Sequence, residues 1–307
     1  MFGFINTRPT WSEGKDYWLE SLKSELPSDF KILDAPLQVL KLLNTEKVIS
    51  KINIWFNSTL CNGNGFLIFT SPATVTAFAK YFNYFQCSEE AANSHYLKSE
   101  ELIQKMKLGF INKRLKLACI GSGTKKGLDA LINEIFSDNS HIQKSLSSSV
   151  LYVEQNPDAE SFLNLHRTNF EHNFLLIFEG DNNKPILRDG LINYSKKVDI
   201  LTVYNRRSLE LPSFKKFYNL ITNKIVNTNS VLNFNKKVFL LLTSTNNANL
   251  LIKELDKQNV LLNSIIVISH HERIIINIKK DFQDVEFVKI LSLSPKSIAE
   301  KIRSYAI

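Results

Sequence analysis

Two Thr-Ser pairs stand at the same point of two similar stretches. Phe66-Leu67-Ile68-Phe69 leads into Thr70-Ser71-Pro72-Ala73, and Phe239-Leu240-Leu241-Leu242 leads into Thr243-Ser244-Thr245. A short apolar run followed by hydroxyls predicts a buried strand, a tight turn and a helix. Pro72 suits the first helical position, where a missing N–H costs nothing. A helix start carries free N–H donors and a partial positive charge, so such a turn suits an anion. The plainer alternative is that Thr70 and Ser71 merely cap their helix. On these residues alone that alternative is the better one.

A third turn, Gly121-Ser122-Gly123-Thr124-Lys125-Lys126-Gly127, follows the apolar run Leu115–Ile120. It is not a P-loop, because its glycine-to-Gly-Lys spacing is wrong. It does not fit the dinucleotide fingerprint either, since Lys126 occupies the third glycine position. What remains is a permissive turn whose N–H groups and Thr124 hydroxyl can hold a carboxylate or phosphate, at even odds with a plain connection. Tyr204 closes a long strand-like run and could offer its hydroxyl to a ligand; an ordinary strand aromatic is the somewhat preferred alternative. Glu179 and Asp181 flank Gly180 and could form an acid pair, but solvated loop charges are the better reading. No Ser-His-Asp order, metal-binding helix or paired catalytic carboxylate stands out.

The elements that must position these turns alternate along the chain. Phe2–Asn6 reads as a strand, Trp11–Glu25 as an amphipathic helix ended by Pro27, and Phe30–Leu33 as a second strand, together one βαβ unit. Residues 45–56 fit a helix or a strand equally. Residues 88–108 read as a charged helix inserted between strand units, and Ser145–Ser149 as a loop. Val198–Tyr204 has no turn signal before Asn205-Arg206-Arg207, so it reads as a continuous crossing from one domain to another. Strands alternating with helices predict parallel sheets covered on both faces. Two similar α/β halves facing each other across a cleft is the expected arrangement.

The bulk numbers fit. The chain has 307 residues, enough for about two domains. No apolar run approaches the ~20 residues of a membrane span. The start of the chain reads as a strand, not a signal peptide. Cys61, Cys87 and Cys119 lie far apart, which points to a reducing compartment and no disulfide framework. The net charge of +8 is concentrated in residues 205–307, with 16 basic and 8 acidic side chains. That favours anionic partners. The lysine and arginine pairs are scattered without a nucleic-acid-binding motif, so a solvated basic surface is the better reading.

The order of motifs is itself specific. Asn6-Thr7-Arg8-Pro9, Ala35-Pro36-Leu37, Phe69-Thr70-Ser71-Pro72-Ala73, Ile120-Gly121-Ser122-Gly123-Thr124, Thr202-Val203-Tyr204, Leu242-Thr243-Ser244 and Ser294-Pro295 come in sequence. Over nearly the whole chain this resembles the uroporphyrinogen-III synthase family. The resemblance implies two flavodoxin-like α/β domains joined by a two-stranded linker. The first would be discontinuous, residues 1–38 with 205–307, and the second would be residues 39–204. It implies a cytoplasmic, monomeric hydro-lyase of heme biosynthesis, without cofactor or metal. The substrate would be hydroxymethylbilane, closed to uroporphyrinogen III with inversion of ring D through a spiro intermediate. Tyr204 would donate to the departing hydroxyl. Arg8, Thr70, Ser71, Pro72, Gly121, Ser122, Gly123, Thr124, Lys184, Thr243 and Ser244 would hold the substrate. Two departures stand out. Ser269-His270-His271-Glu272 replaces a second Gly-turn, where Glu272 would repel a carboxylate, and Thr245 replaces a second proline. They keep a second hypothesis in play, a non-catalytic protein whose cleft binds a tetrapyrrole-like anion.

Overall fold

The computed structural model describes residues 2–12, 16–28, 30–86, 95–154, 157–210, 213–222, 237–243, 245–258, 264–270, 272–281 and 285–306. Contacts divide the chain into two units: Met1–Lys41 with Arg207–Ile307, and Leu42–Arg206. The chain passes between them within β4 (Gln38–Leu42) and β9 (Lys197–Ser208).

The first unit is built on β1 (Gly3–Asn6), β3 (Lys31–Asp34), β10 (Val238–Leu241), β11 (Ile265–Ser269) and β12 (Glu286–Lys289). Their order is β12-β11-β10-β1-β3, with every described pair parallel. Strands buried on both faces read as continuous apolar runs, which is why these were visible in the sequence. One face packs under α1 (Tyr17–Glu25) and α12 (Pro295–Ala306), through Phe4, Leu22, Phe239, Ile266 and Ile298. The other carries α9 (Phe214–Thr222), α10 (Thr245–Lys257) and α11 (Glu272–Asp281), through Phe214, Leu240, Ile252, Val267 and Ile274.

The helix expected from Trp11 begins only at Tyr17. Asp16 caps it, its carboxylate accepting from the N–H groups of Trp18 and Leu19. Trp11 belongs instead to a two-residue strand, β2 (Thr10–Trp11), paired with Val39 and Leu40.

The second unit runs β5 (Gly65–Phe69), β6 (Leu115–Gly121), β7 (Leu151–Val153), β8 (Phe174–Gly180) and β9. The seven-stranded order is β2-β4-β9-β8-β5-β6-β7, and the β9-to-β7 pairs are parallel. Residues 45–56, ambiguous by pattern, belong to α2 (Thr45–Asn62), capped by Asn44 and buried through Val48, Ile52 and Phe56. The expected charged helix is α4 (His95–Ile111), with Leu102 and Met106 buried; residues 88–94 lie outside the described residues. The Ser145–Ser149 segment is not a loop. It ends α6 (Ser140–Ser149), where Asn139 caps the start and Leu146 is buried. The Ser148 and Ser149 hydroxyls donate to carbonyls three residues back. The remaining helices are α3 (Pro72–Gln86), α5 (Ser122–Ile135), α7 (Ala159–His166) and α8 (Ile186–Leu191). Among the described residues no helix is long and apolar enough to cross a membrane.

Candidate functional site

In an open parallel sheet, ligands bind beyond the carboxyl ends of the strands, where the strand order reverses direction. In the second unit that point lies between β5 and β8. In the first it lies between β1 and β10. The sequence-predicted residues that the structure describes fall at or beside these edges.

In the second unit, β5 delivers Thr70 and Ser71 to the start of α3. Their hydroxyls are engaged. Thr70 Oγ1 donates to the Phe178 carbonyl of β8 at 3.0 Å. Ser71 Oγ accepts from the Thr74 N–H at 3.4 Å, while Thr74 Oγ1 accepts from the Ser71 N–H at 3.3 Å. For Ser71 this reciprocal cap is the plainer of the two expectations, with Pro72 at the first helical position, whereas Thr70 ties β5 to β8 instead of capping. Ser71→Ala is expected to cost about 1 kcal/mol, read by thermal unfolding, because the helix start loses its acceptor.

The start of α5 differs. Its N-cap is Gly121, and no side chain caps it. The first N–H groups, those of Ser122, Gly123 and Thr124, therefore have no side-chain acceptor at the cap. Gly121 has no room for a side chain, since a Cβ there would lie 2.7 Å from Pro157 Cβ. A Cβ on Gly123 would be 3.7 Å from Pro72 Cγ, so the α3 and α5 starts stand side by side. Thr124 is 3% exposed, which withdraws its hydroxyl from the open role expected for it.

Across the switch point, the ends of β8 and β9 interlock. Gly180 pairs with Tyr204 after a bulge. Asp181 N–H donates to the Tyr204 carbonyl at 3.0 Å. The Arg206 N–H donates to both Asp181 carboxylate oxygens, at 3.0 and 3.1 Å. The Arg206 guanidinium donates to the Asp181 carbonyl and, at 2.9 Å, to the Tyr204 hydroxyl. Tyr204 is 1% exposed. Its hydroxyl is therefore not free, contrary to the expectation. Asp181 is not a solvated loop charge either; it fixes the backbone of β9. Burial raises the pKa of Glu179 above its ordinary value, outweighing an Asn183 hydrogen bond and the arginines at 188 and 206. Lys184 is exposed on the turn that follows. Tyr81 of α3 donates to the carbonyls of Val203, at 2.7 Å, and Leu43. Burial pushes its phenol up to about 12.

In the first unit, Thr7 and Arg8 follow β1 and Thr243 follows β10. The Thr7 hydroxyl donates to the Leu241 carbonyl, tying the two strand ends together. Asn6 donates to Asp34 at 2.8 Å and accepts from the Arg8 N–H. The Arg8 guanidinium lies 3.9 Å over the Trp18 ring, with Asp16 at 4.0 Å. Its Nη1 is buried without a hydrogen bond. Burial pulls this guanidinium below its ordinary value, opposed by Asp16 and Asp34. Thr243 is half-buried, and Ser244 lies outside the described residues. At the end of β11, Ser269 is buried and His271 lies outside the described residues. The Glu272 carboxylate is held by Lys289 at 3.1 Å, which offsets the repulsion expected of it.

Sequence reasoning missed Asp181, Arg206 and Gly180 as one cluster. The only local signal was a glycine set between two acids at the end of an apolar run. Among the described residues no group of His, Cys, Asp and Glu could hold a metal ion. Cys61 is exposed and Cys119 is buried, its thiol pushed up to about 12 by burial; Cys87 lies outside the described residues.

The family model described as uroporphyrinogen-III synthase HemD matches residues 43–281, more than three quarters of the chain. No curated protein matches it. Among solved structures, a mutant uroporphyrinogen III synthase of the extreme thermophile Thermus thermophilus aligns with 9% identity and a TM-score of 0.48, covering 98% of this chain and 99% of that one. The uroporphyrinogen-III synthetase of Helicobacter pylori aligns with 13% identity and a TM-score of 0.43, covering 98% and 100%.

Proposed function

Because the chain belongs to the uroporphyrinogen-III synthase family, we propose that it converts hydroxymethylbilane to uroporphyrinogen III. The family match over residues 43–281 carries this reading. The reaction removes a hydroxyl as water, inverts ring D and closes the macrocycle, which makes the enzyme a cyclising hydro-lyase. The two contact-defined units serve as the family's two domains. A monomer working in the cytoplasm is part of the same proposal.

Expulsion of the hydroxyl is driven by the pyrrole nitrogen. The protein must chiefly hold a flexible polycarboxylate in the pose that lets its last ring turn over, which is catalysis by orientation. Carboxylates need donors, and the uncapped start of α5 supports this role with the N–H groups of Ser122, Gly123 and Thr124, backed by Gly121. Lys184 supplies an exposed cation. Thr70, Ser71 and Pro72 shape the neighbouring turn, their hydroxyls and the Thr70 and Ser71 N–H groups being taken up in holding it together. Arg8, with its unbonded Nη1, is the proposed carboxylate partner in the first unit. The Thr243 and Ser244 turn joins it. Tyr204 acts by holding Arg206 and the Asp181 turn in place.

The test is direct. Purified protein is given hydroxymethylbilane, and the oxidised products are separated as porphyrin isomers. Isomer III in excess is the expected result. Isomer I alone, formed at the rate seen without protein, would overturn the proposal and leave only ligand binding.

A further inference from the structure

We propose that Glu179 is the acid that gives its proton to the departing hydroxyl, an inference that rests on the synthase reading above. Its place in the fold is the first reason. Glu179 is the last residue but one of β8, at the switch point between β5 and β8. The carbonyl of its neighbour Phe178 receives the Thr70 hydroxyl and the Thr70 N–H, so the two strand ends are held together there.

Access is the second. A general acid must come within hydrogen-bond reach of the oxygen it protonates. Tyr204 is 1% exposed, and its hydroxyl is taken by Arg206. Glu179 is only half-buried.

Proton affinity is the third. The charged groups facing its carboxyl are Arg188 from α8 and Arg206 from β9, and Asn183 donates a hydrogen bond from the turn. Each of these favours the carboxylate, yet burial outweighs them and raises the proton affinity. A bound polycarboxylate adds like charge and moves it further the same way. The substrate thus helps to load the acid that acts on it.

The step balances. The carboxyl proton passes to the hydroxyl oxygen as the C–O bond breaks, and the bonding pair leaves with that oxygen as water. The lone pair of the pyrrole nitrogen fills the vacancy and gives an azafulvenium cation. The cation formed on ring closure later loses a proton, which returns to the Glu179 carboxylate.

Glu179→Gln keeps the shape and removes the proton. It is expected to lower kcat about 100-fold, the lower end for general acid catalysis, with KM nearly unchanged. The fall of kcat with rising pH, as wild-type Glu179 deprotonates, is expected to vanish. Calorimetric titration with uroporphyrinogen III in two buffers of different ionisation enthalpy adds a readout independent of turnover. Wild-type protein is expected to take up a fraction of a proton on binding, and Glu179→Gln none. Wild-type protein that yields isomer III beside a variant with unchanged kcat and pH profile would overturn the role of Glu179 alone. Wild-type protein that yields only isomer I would overturn the synthase reading and this proposal with it.

Discussion

Gly180→Ala is expected to lower turnover of hydroxymethylbilane on the order of 100-fold and to destabilise the protein by about 1–3 kcal/mol. The added Cβ would lie 2.5 Å from Tyr204 Cζ, 2.6 Å from Cε2 and 2.7 Å from the hydroxyl oxygen. The tyrosine has nowhere to go: it is 1% exposed and bonded to Arg206. Relief must come from the backbone of β8 or β9, and the same shift breaks the Asp181–Arg206 pairing and displaces Glu179. Gly127→Ala is the matched control. There the nearest atom to a new Cβ is Val75 Cγ1 at 3.5 Å, an ordinary contact. An alanine inside α5 removes backbone freedom from the unfolded chain, so this variant is expected to gain up to about 1 kcal/mol. Steady-state kinetics with thermal unfolding of both variants decides the matter. Equal behaviour of the two would show that the space beside Tyr204 is not needed.

The sequence was most readable where a strand is buried on both faces. Phe66–Phe69, Phe239–Leu242 and Ile265–Ile268 have no polar side to confuse the pattern, and each supplies a central parallel strand. It was least readable where a helix depended on a distant partner or an unpromising composition. Ser145–Ser149 has the residues of a loop. What makes it helical is Asn139 at the start, Leu146 in the core, and hydroxyls that find acceptors within the helix itself. Trp11 has helical spacing to Trp18, but Asp16 offers a better start, and Trp11 pairs with a strand nearly thirty residues on.

For the strand-to-helix turns, position was legible and the partners of their hydroxyls were not. The strand-to-helix turns at Thr70, Gly121 and Thr243 stand where the patterns put them. What their hydroxyls do depends on contacts far along the chain. Thr70 donates to a carbonyl 108 residues away. Tyr81 reaches across 122 residues to Val203. No local window holds that information, so a hydroxyl ready for a ligand and one already satisfied look alike in sequence. Glu179 was passed over for the converse reason: a charge next to Gly180 looks like a solvated turn, and only the folded strand reveals how much water it has lost.

Phe178→Ala should have the largest effect on stability. Phe178 is fully buried, stacked on Phe69 with centroids 4.7 Å apart and edge-on to Phe78 at 5.1 Å. Truncation removes the transfer free energy of the ring and leaves a void that this close-packed trio cannot readily fill. The expected cost is about 3–5 kcal/mol, a fall in Tm on the order of 10 °C for a unit of this size. Calorimetric unfolding measures it. Phe178→Leu refills most of the volume and should recover over half of the loss. Because the Phe178 carbonyl is the acceptor for Thr70, kinetics adds a second test at a temperature where both variants are folded. If the backbone at 178 stays in place, Phe178→Leu should retain near-normal kcat, whereas Phe178→Ala should lose turnover as the end of β8 sags into the void. A Phe178→Ala protein that melts like wild type would mean that the three rings are not packed as a unit. The rigid floor on which Glu179, Gly180 and Asp181 are held would then have to be sought elsewhere.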